Sequence, residues 1–66
     1  MRVTINGREQ DLPEDATVET AVSRFTAAGR GVAVAVNDEV VPRADWAATP
    51  VRPADRVEIL TAVQGG

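Results

Sequence analysis

The residues of this chain that could do chemistry stand at its C-terminal end, where Gly65 and Gly66 follow Gln64. A terminal carboxyl group ordinarily has a pKa of about 3.5, so it is ionised at pH 7 and can attack the α-phosphate of ATP. The resulting acyl-adenylate is open to a sulfur or an amine nucleophile. Glycine suits this chemistry because it has no Cβ to shield the carbonyl and because its backbone threads narrow channels. Taken alone, however, the dipeptide favours an ordinary frayed chain end.

The composition excludes most other chemistry. The 66 residues include no cysteine and no histidine. This excludes a Cys/His nucleophile pair, an imidazole base, the common transition-metal sites and a [2Fe-2S] cluster. Glycines are scattered and form no phosphate-binding loop. We therefore expect no catalytic residue, no metal and no bound cofactor, and we predict a carrier rather than an enzyme.

The charge of the chain limits its partners. Ten acidic residues and seven arginines give a net charge of −3, which argues against nucleic-acid binding. Because lysine is absent, the chain cannot form the side-chain-linked polymers that ubiquitin forms. No apolar run approaches the length of a membrane span, and Met1 leads into an alternating strand rather than a signal peptide. These observations predict a cytoplasmic protein that does not bind membranes.

The N-terminal half predicts a hairpin followed by one helix. The segment 2–5 alternates polar and apolar residues, Asn6-Gly7 favours a type I′ turn, and 8–12 is the return strand. The helix is predicted over about 17–28, with Asp15 or Thr17 as its cap and Gly29 just past its end. Its buried face is predicted to contain Val18, Ala21, Val22, Phe25 and Ala28.

The C-terminal half predicts three more strands. The segment 32–36 is apolar on both faces, and its alternating alanines would leave room for the helix. A short strand follows over 39–41, then an irregular stretch with one short helical turn over 43–55, then a last strand over 57–63. The right-handed crossover rule places that strand beside the first, in parallel, at the sheet centre. We predict an α+β ubiquitin-like β-grasp fold, order ββαβββ, with a mixed sheet of four to five strands on one main helix.

This arrangement changes the interpretation of the last residues. The predicted domain covers 1–63, which leaves 64–66 as a flexible Gly-Gly tail. Three residues reach roughly 10 Å at about 3.3 Å each. A tail of that reach would carry the carboxylate of Gly66 into a partner's active site, with Gln64 and Gly65 threading the entrance. A β-grasp pattern that stops there favours a functional tail over a frayed end.

A longer motif in the C-terminal half resembles the ThiS family of sulfur carriers. In that family a strand ends in Asn, Val-Pro-Arg follows after three residues, and a Trp lies three positions after the Arg. The chain has these residues at Asn37, Val41, Pro42, Arg43 and Trp46, and it continues through Asp55 and Val57-Glu58-Ile59 to Gly65-Gly66. One departure is Ala54, where the family usually has Gly. We expect from this a turn without positive φ.

The resemblance implies a function in thiamine biosynthesis. A ThiF-like adenylating enzyme would use ATP to adenylate Gly66, and the product would become a thiocarboxylate modification at Gly66. Thiazole synthase, a ThiG-like enzyme, would then use this sulfur for thiazole formation, and a cysteine desulfurase relay is a candidate supplier. The motif residues themselves have structural interpretations: Asn37 in a tight turn, Pro42 ending an edge strand, Trp46 covering the core, and Arg43 pairing with Asp45 or capping a carbonyl.

A partner that receives the tail needs a docking surface. The sheet face opposite the helix is the candidate, with contributions from Val34 or Val36, Leu60 and Ala62. The acidic residues Asp55 and Glu58 are candidates for steering a basic partner, or serve only to keep the domain soluble.

Other functions share this pattern. The small subunit of molybdopterin synthase also ends in Gly-Gly, although it usually is longer and lacks the Val-Pro-Arg…Trp motif. A carrier for another sulfur pathway and a protein modifier joined to lysines through Gly66 would use the same activation chemistry. A plain structural β-grasp domain would not need Gly65 and Gly66 at all.

Overall fold

A computed structural model describes residues 1–27 and 30–62 of the chain. The elements are β1 Arg2–Ile5, β2 Arg8–Asp11, α1 Val18–Phe25, β3 Val32–Val36, β4 Glu39–Val40, a 3-10 helix Arg43–Ala48 and β5 Arg56–Thr61. The five strands form one sheet in the order β2-β1-β5-β3-β4. Strands β1 and β5 run parallel at its centre, and the other neighbours are antiparallel, which confirms the predicted β-grasp fold.

The first turn has the predicted geometry and a contact that was not predicted. Asn6 and Gly7 have φ values of 51° and 81°, as a type I′ turn requires. The Asn6 side chain also reaches the last strand, where its Nδ2 donates to the Ile59 carbonyl at 3.0 Å and its Oδ1 accepts from the Ile59 N–H at 2.8 Å. The Asn6 side-chain amide therefore bonds to the Ile59 backbone as a paired strand would, and it joins the hairpin to β5.

Helix α1 begins where predicted and ends earlier. Thr17 is its N-cap and forms a capping box with Thr20. The helix stops at Phe25 rather than at 28, because Thr26 adopts an extended conformation with φ −151°. Phe25 is consequently 42% exposed in the final turn, so its predicted place on the buried face was wrong. The predicted Ala28 and Gly29 lie outside the described residues.

The core lies between α1 and one face of the sheet. On the sheet it is formed by five side chains that are at most 2% exposed: Val3, Ile5, Val34, Val57 and Ile59. The valines of β3 point toward this core, and Ala33 lies exposed on the opposite face. The prediction that the alanines face the helix was therefore wrong. Burying valine removes more apolar surface from water than burying alanine, which favours the observed choice.

The segment between β4 and β5 is held by one helical turn and two tight contacts. The predicted helical turn is the 3-10 helix, which packs against α1. Further on, Val51 is buried and its N–H donates to the Ala16 carbonyl at 3.0 Å. Ala54 has φ 70°, so the expectation of a turn without positive φ was wrong. Its N–H donates to the Arg2 carbonyl at 3.1 Å, which fixes the turn although alanine is unfavourable there.

No helix in the described ranges 1–27 and 30–62 is long and apolar enough to span a membrane.

Candidate functional site

The C-terminal segment of the chain follows the central strand β5 in the sequence. Strand β5 pairs with β1 on one side and with β3 on the other, in a register that runs from Val36↔Val57 to Val32↔Thr61. Beyond the strand, the N–H of Ala62 donates to the Gly31 carbonyl at 2.6 Å. The predicted sulfur-carrying Gly66 and the threading residues Gln64 and Gly65 lie outside the described residues. The structure describes the chain that precedes them as far as Ala62.

A glycine lies opposite the end of β5, on the segment that precedes β3. Gly31 has φ 72°, and a Cβ added to it would lie 3.2 Å from the Cβ of Ala62. Both its conformation and its close contact therefore favour glycine. Sequence reasoning missed this residue, because the glycines of the segment 29–31 could not be distinguished without the pairing of β3 with β5.

The open face of the sheet carries the predicted docking residues together. Glu58, Leu60 and Ala62 alternate with the buried Val57 and Ile59, and all three are exposed. Leu60 is 71% exposed, a large fraction for a leucine in a central strand. Around them lies a shallow depression, which we call the open-face depression, lined by Asn6, Ala33, Val34, Ala35, Val40, Glu58 and Leu60.

Two predicted members of this surface point elsewhere. Val34 is 2% exposed and Val36 packs against the core, so both side chains point away from the open face, although Val34 is among the residues that line the depression. Their places are taken by Ala33 and Ala35, with the 72% exposed Val40 beside them. Sequence reasoning missed Val40 because nothing local shows which face of a two-residue strand is covered. The cross-strand pair Ala35↔Val40 decides it.

Asn37 holds two loops together at the other end of β5. Its φ of 50° confirms the predicted positive φ. Its Nδ2 donates to Asp55 Oδ1 at 3.0 Å, and its Oδ1 accepts from the Arg56 N–H at 3.0 Å. Asp55 Oδ2 also accepts from the Arg52 N–H at 2.8 Å. Because both of its carboxylate oxygens accept these hydrogen bonds, Asp55 connects the two loops. Glu58, in contrast, remains exposed on the open face.

The other motif residues lie around the 3-10 helix. Pro42 follows the edge strand β4 and is the N-cap of this helix, and Val41 packs against the core. Trp46 is buried, and its Nε1 donates to the Val41 carbonyl at 2.9 Å, as expected for a residue that closes the core. Arg43 was expected to pair with Asp45 or to cap a carbonyl, and the ion pairs among the described residues do not include one with Asp45. The Arg43 Cζ lies 5.2 Å from the centroid of the Trp46 ring.

Within 1–27 and 30–62, no three acidic, histidine or cysteine side chains are grouped so that they could hold a metal ion.

Comparison with known proteins identifies the family. The sequence profile of the ThiS family matches residues 3–66. The chain belongs to the ThiS family. A crystal structure of the ThiS thiamine biosynthesis protein from Geobacter metallireducens superposes with a TM-score of 0.81 at 33% identity and covers 100% of both chains. The ubiquitin-like β-grasp fold is thus confirmed by a solved ThiS structure.

Two curated relatives of this ThiS-family chain differ in length. The sulfur carrier protein ThiS of Escherichia coli is 26% identical over 66 residues, which is 100% of both proteins. A thiazole synthase of Paramagnetospirillum magneticum is 35% identical over 66 residues. The match covers 100% of the chain but only 20% of that synthase, so the longer protein contains a region of this kind within a larger chain.

Proposed function

We propose that this chain is a sulfur carrier for thiazole formation in thiamine biosynthesis, with its reactive group at Gly66. The observation that carries the proposal is the match to the ThiS family over residues 3–66, which includes both terminal glycines. The fold is consistent with this function, because the central strand β5 leads directly to that segment.

The chemistry follows from a carboxylate and a partner that uses ATP. The Gly66 carboxylate attacks the α-phosphate of ATP, pyrophosphate leaves, and an acyl-adenylate forms. Hydrosulfide, or a partner that delivers its equivalent, then attacks the carbonyl and expels AMP, which leaves a thiocarboxylate. A ThiF-like adenylating enzyme would catalyse these steps, and a cysteine desulfurase relay would supply the sulfur. The chain itself contributes the substrate group and the surface that presents it.

The choice of thiazole as the acceptor pathway has separate support. A relative named thiazole synthase contains a region 35% identical to the whole of this chain. A region of this kind within one polypeptide would be held at high effective concentration near the synthase part. We propose that the acceptor enzyme of the present chain is a thiazole synthase.

Docking of these partners is proposed to use the open-face depression. Leu60 leaves most of its apolar surface in water although it lies in the central strand. Glu58 and Ala62 lie on the same face, and Ala62 is next to the segment that carries Gly66. Burial of this apolar surface by a partner would be favourable and would place the partner beside the tail.

Intact-protein mass spectrometry tests the proposal. The chain is incubated with a cognate ThiF-like enzyme, ATP and sulfide, and we expect a mass increase equal to the exchange of one oxygen for sulfur. A chain that ends at Gln64 is the matched control and should show no change, with an unaltered circular dichroism spectrum. No mass change in the full chain, with an enzyme shown to be competent on another carrier, would contradict the proposal. Thiazole-synthase and molybdopterin-synthase assays then distinguish the pathways.

A further inference from the structure

We propose that Arg43 is a docking determinant whose guanidinium pairs with a carboxylate of the activating enzyme. The contact would lie at the entrance to the enzyme site that receives Gly66. This inference rests on the proposed function, since it names the residue by which the first enzyme of that function recognises the chain.

The length of the C-terminal segment limits where that enzyme can sit. Four residues, 63–66, follow Ala62 and reach at most about 13 Å at about 3.3 Å each. Ala62 itself is fixed by the hydrogen bond from its N–H to the Gly31 carbonyl. An enzyme that reacts with Gly66 must therefore cover the surface around Ala62.

We call this surface the tail-root surface. Its lining within residues 1–27 and 30–62 contains one cation and consists of Gly31, Val32, Ala33, Leu60, Thr61, Ala62 and Arg43. The members other than Arg43 are uncharged. Because Ala33 and Leu60 also line the open-face depression, the two surfaces are continuous. A partner docked on the open face thus reaches Arg43 without leaving the protein surface.

The position of Arg43 is set before any partner binds. Its guanidinium lies over the Trp46 ring, with 5.2 Å between Cζ and the ring centroid. Trp46 is buried and held by its hydrogen bond to Val41, so the ring is a fixed platform. A side chain that is already ordered loses less conformational entropy on binding. Stacking on a ring face also leaves the N–H groups at the edge of the guanidinium available to a planar acceptor.

Arg43 has no ion-pair partner among residues 1–27 and 30–62. The ion pairs in the described part of the chain use the terminal ammonium, Arg2 and Arg56, and none uses Arg43. Covering an unpaired guanidinium with a protein interface is costly, because the charge loses its water. An enzyme that covers the tail-root surface must therefore supply an anion opposite Arg43.

A side-chain carboxylate fits this position better than the nucleotide. A tail that extends into the enzyme carries the reacting carboxyl of Gly66 up to about 13 Å beyond Ala62. Arg43 lines the tail-root surface together with Ala62, so an interface carboxylate can meet it without the tail being bent back, whereas a phosphate at the far end of an extended tail is displaced from that surface. Arginine and carboxylate form two parallel hydrogen bonds, which provides orientation as well as attraction.

The test is a titration of the cognate ThiF-like enzyme with Arg43→Glu, Arg43→Lys and the control Arg52→Glu, without ATP and at low salt. Arg52 is also an exposed arginine, but it lies before the start of β5, at the opposite end of the strand from Ala62. We expect Arg43→Glu to raise the Kd at least about tenfold, with Arg52→Glu within about twofold of the unaltered chain. Arg43→Lys should recover part of the affinity. The difference in Kd between Arg43→Glu and the unaltered chain should shrink at high salt, because salt screens the proposed pair of Arg43 with the enzyme carboxylate.

Equal Kd values for Arg43→Glu and Arg52→Glu would overturn the inference. So would light scattering that shows a self-associated chain dissociated by Arg43→Glu, because the occupant would then be a second copy. Thermal melting of each variant checks folding, and Arg43→Lys keeps the test decisive if the charge reversal does not fold. Since the titration omits ATP, an unaltered chain that binds but is never adenylated contradicts the proposed function without affecting the Arg43 comparison.

Discussion

The two faces of the sheet differ in what their apolar residues do, and strand β5 shows the difference within four positions. Val57 and Ile59 point toward α1 and are at most 2% exposed, whereas Leu60 points the other way and is 71% exposed. Leucine and isoleucine have similar hydrophobicity, so composition alone does not separate them. The covered face stabilises the fold. The open face retains apolar surface that the isolated domain does not bury, which is expected of a surface that meets a partner.

The largest effect should come from truncating the covered face. Ile59→Ala removes a side chain that is 2% exposed in the middle of the core, and we expect a loss of about 3 kcal/mol in the free energy of unfolding. Leu60→Ala, at the next position of the same strand, should change stability by less than about 0.5 kcal/mol. Urea denaturation measures both. Similar losses for the two variants would show that the faces do not differ in the way described.

Substitutions on the open face should weaken partner binding rather than lower the stability of the fold. Leu60→Glu places a charge in the open-face depression, and we expect its Kd for the activating enzyme to rise about 100-fold, or about 2.7 kcal/mol. Phe25→Glu is the matched control, because Phe25 is also a partly exposed large apolar side chain but lies on α1. Isothermal titration should show little change for it. Equal weakening by both variants would place the contact away from the open face.

Substitution of Asn37, which connects the two loops, should have an intermediate effect on the free energy of unfolding. Asn37→Ala removes two side-chain hydrogen bonds and places alanine at φ 50°, so we expect a loss of about 2 kcal/mol. Asn37→Gly keeps the conformation accessible and should lose about half as much. Thermal and urea unfolding can compare them. If the two variants were equally unstable, the side-chain bonds would account for the whole effect and the backbone conformation for none.

The smallest expected effect is a gain in stability. Ala54 has φ 70°, and Ala54→Gly should raise the free energy of unfolding by about 0.5 kcal/mol, because strain relief exceeds the entropy cost of glycine. Ala44→Gly is the control in the 3-10 helix Arg43–Ala48, where glycine should instead destabilise by a similar amount. Melting temperatures of the two variants should therefore move in opposite directions. A loss of stability in Ala54→Gly would show that the turn is not strained.

Much of the fold could be predicted from local patterns. Asn6-Gly7 specified the first turn because few other residue pairs accept positive φ at both positions. The capped apolar stripe from Val18 specified the start of α1, and the chain order placed β5 beside β1 in parallel. The candidate reactive residue Gly66 and the docking candidates on and just after β5 also came from sequence, since alternation alone puts Glu58, Leu60 and Ala62 on one face.

Other features depended on contacts between distant residues. Which face of β3 is covered followed from its register with β5, so Val34 became core and Ala33 became surface. The positive φ of Ala54 depends on a hydrogen bond to Arg2, and the clamp from Asn6 to Ile59 joins residues separated by 53 positions.

The candidate site also has features that follow from the sequence and features that follow from contacts between distant residues. The sequence alone predicted a carboxylate as the reactive group, because the residue types of the chain exclude thiols and imidazoles. Only the tertiary structure placed Arg43 on the Trp46 ring beside Ala62, instead of in an ion pair with Asp45. The physical reason is that a sequence pattern reports periodicity along the chain. The surroundings of an exposed charge are set by whichever segments the folded chain brings next to it.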